Sequence, residues 1–156
     1  MTTPSFPPLF SGLAVEGQID PFDKACAEAS RGCDAGLVVY DLGANTLRAA
    51  LIFAPDVILA DAMAILPLCG VGFQNALGAL GPPEVAVHLE WAGGLRVNGA
   101  TCGKLRVAAS SSDTTTVPNW MVIGLELPLW PENDAPGDTP DQTTLYVEGC
   151  ADVNAM

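Results

Sequence analysis

Positive charge is what this chain has least of. Six lysines and arginines stand against 18 aspartates and glutamates, a formal net charge of −12 over 156 residues. A protein that neutralises phosphates needs a basic stripe, so nucleic-acid binding is excluded. The same shortage weakens attraction to an acidic carrier, because steering needs opposite signs. Histidine occurs once, as His88, and the five cysteines (26, 33, 69, 102 and 150) form neither a CxxC pair nor a cluster of zinc spacing. They read as reduced thiols of a cytoplasmic protein, with no metal expected. The N-terminus, MTTPSFPPLFSG, has neither the basic region nor the unbroken apolar run of a signal peptide. The longest apolar stretch, Ala62 to Phe73, is interrupted by Pro67 and too short to span a bilayer; it reads as a buried helix, and no membrane partner is expected. Phosphate-binding glycine motifs, serine triads and metal-binding carboxylate pairs are lacking as well.

What is present suffices for one ordinary core, since 49% of the residues are hydrophobic. The expectation is an irregular arm over residues 1–14, with three prolines, and a single domain over 15–156. Asp20-Pro21 supplies an N-cap and a first-turn proline. Phe22, Ala25, Cys26 and Ala29 follow at helical spacing, and Gly32 stops the helix. GLVVY (36–40) and LRAALIF (47–53) read as buried strands. Asp56 is expected to cap a main helix over 57–79, with Pro67 kinking it. Gly81-Pro82-Pro83 ends that helix and opens a strand over 84–91, with Val85, Val87 and Leu89 inward and Ala86, His88 and Glu90 outward.

Asn98-Gly99 is the strongest short hairpin signal in the chain. In the next strand Thr101, Gly103, Leu105 and Val107 are expected on one face, with Cys102, Lys104 and Arg106 on the other. Trp120 to Leu127 is a further strand, 128–142 an acidic, proline-rich loop, and LYVEG (145–149) a last short strand. Helices laid over a mostly antiparallel mixed sheet make an α+β domain.

The order of these pieces resembles the catalytic domain of the biotin/lipoate protein ligases. Trp91, the Asn98-Gly99 turn, Gly103 and the Val122-Ile123-Gly124 run stand where those enzymes carry KWPND, a hairpin, a KxxG segment and a strand such as VIGIGIN. LGANTLRAALIF likewise resembles their FGANLYLS strand. The resemblance implies a ligand pocket between the DLGAN turn, Trp91 and the Cys102/Lys104 face, with Gly99 and Gly103 also lining it. Biotin, lipoate or octanoate is the implied ligand, and a biotinyl or lipoyl acceptor or an acyl carrier domain the implied partner.

Departures from the family pattern bear on activity. The GRGRRG loop that cradles an adenylate is replaced by DLGAN alone, and Glu90 stands at the lysine of KWPND. A carboxylate there reverses the charge offered to an anion, so ATP use is not expected. Aligning Gly103 with the glycine of KxxG puts Ala100 at the catalytic lysine, whereas aligning GKL puts Lys104 there, ~13 Å along the strand. The acyltransferases of the same superfamily need no adenylate loop; by that resemblance Cys150 is a nucleophile and Lys104 the group that lowers its pKa.

Each of these residues also has a plainer reading. Lys104 is then a solvated edge lysine, Cys102 and Cys150 are packed thiols, His88 is a partnered surface side chain, and Trp91 fills core. Three functions follow: a divergent domain that binds or transfers a biotinyl, lipoyl or octanoyl group, a non-catalytic interaction module, or an acyltransferase working through Cys150. The ligases continue with further helices and often a small C-terminal domain, so a fragment or a minimal form is expected.

Overall fold

The computed structural model of the protein describes residues 3–43, 45–132 and 140–150. Among these residues seven strands form one open mixed sheet: β1 (Ser11–Ala14), β2 (Leu37–Leu42), β3 (Thr46–Phe53), β4 (Val87–Leu89), β5 (Gly94–Val97), β6 (Ala100–Ala109) and β7 (Met121–Pro128). Their order across the sheet is β1-β2-β3-β7-β6-β5-β4. β1 runs parallel to β2, while β4, β5 and β6 pair antiparallel in sequence. Among the described residues three helices accompany the sheet: α1 (Pro21–Ser30), α2 (Leu59–Ala62) and α3 (Ile65–Leu80). The α+β expectation therefore holds. The chain divides into two compact units, Met1–Leu42 with Arg48–Ile65 and Arg106–Gly124, and Gly43–Leu47 with Leu66–Leu105 and Leu125–Met156.

In the first unit the local signals of α1 act as read. The Asp20 carboxylate accepts the Phe22 N–H at 2.9 Å, Pro21 occupies the first turn where its missing N–H costs nothing, and Gly32 takes a φ of 90° after the last turn. The helix buries Ala25 and Ala29 against Val15, Val39, Ala50, Ile52 and Val122. A smaller cluster gathers Leu59, Ala62 and Met121. Ser11–Ala14, expected within the irregular arm, instead forms β1, with Ser11 opposite Leu37 and Ala14 opposite Tyr40. Pairing on an edge strand answers those backbone groups without needing the β-branched composition that marks a strand in sequence.

Elsewhere in the chain four expectations change. The main helix is broken at Met63 and Ala64, and Pro67 is the third residue of α3, so it starts a helix and does not kink one. Asp56 caps nothing: Ile58 holds the N-cap position of α2 without a side-chain bond. The strand expected over 84–91 shrinks to Val87–Leu89, because Pro82 and Pro83 precede a turn in which Val85 N–H reaches the Pro82 carbonyl at 3.2 Å. LYVEG forms turns, not a strand. Leu145 is buried, Tyr146 stacks on Trp130 at 4.1 Å between ring centroids, and Gly149 has φ 92°. The acidic loop is described only in part, since 133–139 lie outside the described residues.

Taken together, the helical stretch Leu59–Leu80 runs 22 residues at a mean hydropathy of 1.5, long and apolar enough to cross a membrane by those two measures alone. It extends well past the Ala62 to Phe73 run that looked too short. The Asn98-Gly99 turn is formed as expected, with φ 50° at Asn98 and 91° at Gly99, the left-handed pair that a tight hairpin requires.

Candidate functional site

The chemistry-bearing residues of β6 are arranged by one glycine. Gly103 sits at φ 100°, and a Cβ built on it would run into the Glu126 carbonyl oxygen of β7. Only glycine fits so close an approach of two backbones. Three steps along β6, from Thr101 to Lys104, oppose two along β5, from Gly94 to Arg96, which is a bulge. The extra residue breaks the strict alternation expected from sequence. Cys102 and Leu105 both turn inward, while Lys104 turns to solvent, so Cys102 and Lys104 do not share a face.

Lys104 Nζ lies 3.7 Å from a Glu126 carboxylate oxygen with its side chain half exposed. Cys102 and Cys150 are brought together in another place, a buried cluster with Leu77, Val97, Leu127 and Leu145. Burial is the main cause that pushes the Cys102 thiol up to about 12, and the Glu148 charge adds to it. The same two causes, in the same order, raise Cys150. A thiolate is the nucleophile, and here both the dry surroundings and the neighbouring carboxylate oppose it.

Trp91 fills no core. It is 94% exposed, in the turn that joins β4 to β5. Beside it lies a groove of about 210 Å³ lined by Leu66, Gly70 and Val71 of α3 with Leu89, Trp91 and Leu105. Glu90 is the one charged residue on the lining, and it pairs with Arg96. The groove falls below the roughly 300–1,000 Å³ usual for a whole small ligand and suits an acyl end or a single side chain. Gly99 is exposed at the hairpin tip, and its carbonyl accepts from Arg96 at 3.0 Å. The pocket implied by resemblance is thus distributed: Trp91 on the groove, Cys102 in the buried cluster, Lys104 beside Glu126. His88, the exposed residue of β4, lies opposite Arg96.

Every basic side chain is already in an ion pair. Lys24 and Arg31 share Glu28, at 2.7 and 3.1 Å, Arg48 holds Asp41 at 2.6 Å and Arg106 holds Asp20 at 2.8 Å. Arg96 with Glu90 and Lys104 with Glu126 complete the six. The Arg106 guanidinium also stacks on the Phe22 ring at 4.3 Å, which places it against the start of α1. No local pattern announces that contact, since Asp20 and Arg106 stand 86 residues apart. Burial alone would raise the Asp20 pKa. The Arg106 hydrogen bond, the Phe22 N–H and the charges of Arg106 and Arg48 outweigh it and hold the group below its ordinary value.

Because the folded pKa is lowered, this contribution is fully present above the unfolded value and is lost as pH falls through the folded one. Asp20→Asn keeps a cap but removes the charge. It is expected to cost about 1 kcal/mol at neutral pH for a part-exposed pair. Urea unfolding at neutral pH and in acid below the carboxylate range checks this: the gap between variant and parent should close in acid, and a gap that persists there would refute the assignment.

An open mixed sheet of this strand order, with α1 and α3 as its long helices, is the fold of the biotin protein ligases. It matches the apo enzyme of Aquifex aeolicus with a TM-score of 0.62 at 16% identity, over 89% of this chain and 59% of that one. The biotin complex of the Leishmania major ligase matches with 0.60 at 14% identity, over 91% and 64%. A biotin protein ligase-like protein of unknown function from Silicibacter sp. TM1040 matches at 66% identity and a TM-score of 0.90, over 96% of this chain and 65% of that one. The chain therefore spans less than two thirds of the length of each of these proteins. It belongs to the biotin/lipoate A/B protein ligase family, whose family model matches residues 6–156. No curated protein matches it.

Proposed function

We propose that this chain is a binding and interaction module on the ligase fold, one that engages a biotinyl, lipoyl or octanoyl group, or the domain carrying it, without activating the acid with ATP. The observation that carries the reading is the pairing of all six cations. Adenylation concentrates negative charge at phosphates and needs cations aimed at it. Here each one would first have to leave a carboxylate. The apolar groove beside Trp91 is the surface best suited to the acyl or ring end of such a group.

ATP–pyrophosphate exchange with biotin, lipoate and octanoate tests the first half, and none is expected from the parent protein or from Glu90→Lys. Measurable exchange by the parent would end the reading. Titration calorimetry with the three acids tests the second half. Heat that disappears in Trp91→Ala is expected, and no heat at millimolar acid would restrict the module to protein partners.

A further inference from the structure

We infer that Asn98 is a site of spontaneous covalent modification, and that its conversion to an acid releases the segment that buries Cys102 and Cys150. Asn98-Gly99 is the sole Asn-Gly pair in the chain. Both residues are exposed at the hairpin tip, and Gly99, with φ 91°, has open space where a side chain would stand. With no side chain at 99, the residue itself does not crowd its amide nitrogen.

The reaction consumes only water. The Gly99 amide nitrogen, having given its proton to solvent base, forms a bond to the Asn98 side-chain carbonyl carbon. The bond from that carbon to Nδ2 breaks, and ammonia leaves with a proton taken from water. A five-membered imide remains. Water then opens it at either carbonyl, leaving aspartate or its iso form. No oxidant or cofactor takes part.

The consequence lies across the tip. Asn98 Nδ2 donates to Glu148 Oε2 at 2.6 Å, and Thr143 Oγ1 donates to Glu148 Oε1 at 2.6 Å. Asn98 is thereby tied to the 143–150 segment, whose Leu145 and Cys150 close over Cys102. Hydrolysis replaces a donor with a carboxylate facing a carboxylate. An attraction becomes a repulsion, and the same Glu148 that held the segment now pushes it away. In the aspartate product the hairpin itself survives, because aspartate tolerates the left-handed position as asparagine does and keeps the oxygen that accepts from Ala86 N–H at 3.0 Å.

The experiment has two arms on the full chain. The protein is aged in mildly alkaline buffer at physiological temperature and mapped by peptide mass. Acid is expected to accumulate at Asn98 ahead of the other asparagines, and conversion elsewhere with none at 98 would overturn the site. In parallel, thiol labelling is followed in Asn98→Asp. Cys102 and Cys150 should label about tenfold faster than in the parent, equal to ~1.4 kcal/mol of lost closure. Adding Glu148→Gln should return the rate towards that of the parent, because the facing charge is gone. Unchanged labelling in Asn98→Asp, or no rescue in the double variant, would overturn the release. Should Asn98→Asp fold poorly, the aspartate form of the aged parent, separated from the iso form and the unaged protein, gives the same readout.

Discussion

Replacing Gly103 with alanine is expected to be the most damaging single methyl in the second unit. The position combines φ 100° with a built Cβ that collides with the Glu126 carbonyl oxygen, so neither the backbone nor its neighbour can yield cheaply. The left-handed strain and the forced shift of β7 together should cost about 3 kcal/mol. For a domain of this size that is a fall in Tm of roughly 6–12 °C. Thermal unfolding followed by circular dichroism measures it. A fall of only a degree or two would mean that β6 carries no bulge at Gly103, and the inward turn of Cys102 would then need another cause.

Leu145→Ala should come next. Leu145 is almost wholly buried and packs with Leu77, Val97, Leu127 and both cysteines of the cluster. Truncation leaves a cavity that this turn-rich segment can only partly collapse, at a cost of about 3 kcal/mol. The loss should also show in chemistry. In the parent, Cys26, Cys33 and Cys69, which are half-buried, should label before Cys102 and Cys150. In the variant that order should blur as the segment opens. Retention of both the parent's stability and its labelling order would show that Leu145 does not seal the cluster.

The parts of the fold legible in the sequence were those whose signals are local. Asp20-Pro21 and Gly32 bracket α1 with a cap, a first-turn proline and a left-handed stop, and Asn98-Gly99 names its own turn type. The order of strands with Trp91, Gly103 and Gly124 carried the family, because glycines at close backbone approaches are among the few residues that a fold fixes by name. Gly103 is one, and Gly124 is fixed in a related way, lying where a Cβ would strike the Phe22 ring.

Pro67 failed as a signal because a proline reads equally as a kink or as a first turn, and only the break at Met63 and Ala64 decides which. The bulge at Gly103 was illegible because alternation is the default for any strand and an inserted residue is set by the partner strand. That one residue moved Cys102 and Lys104 to opposite faces and with them the expected site. The pairing of Arg106 with Asp20 across 86 residues belongs to tertiary structure alone.

The exhaustion of the cations has a bearing on the solution in which the molecule keeps best. Among the described residues the six bases are taken up by five acids, Glu28 serving two of them, in a chain whose formal net charge is −12. The mutual repulsion of the excess carboxylates works against compactness over about 8 Å at physiological ionic strength. Concentrated electrolyte screens that repulsion, and the part-exposed ion pairs that it weakens as well are each worth little. The chain is in this respect like a halotolerant protein and is expected to hold together better in brine than in dilute buffer.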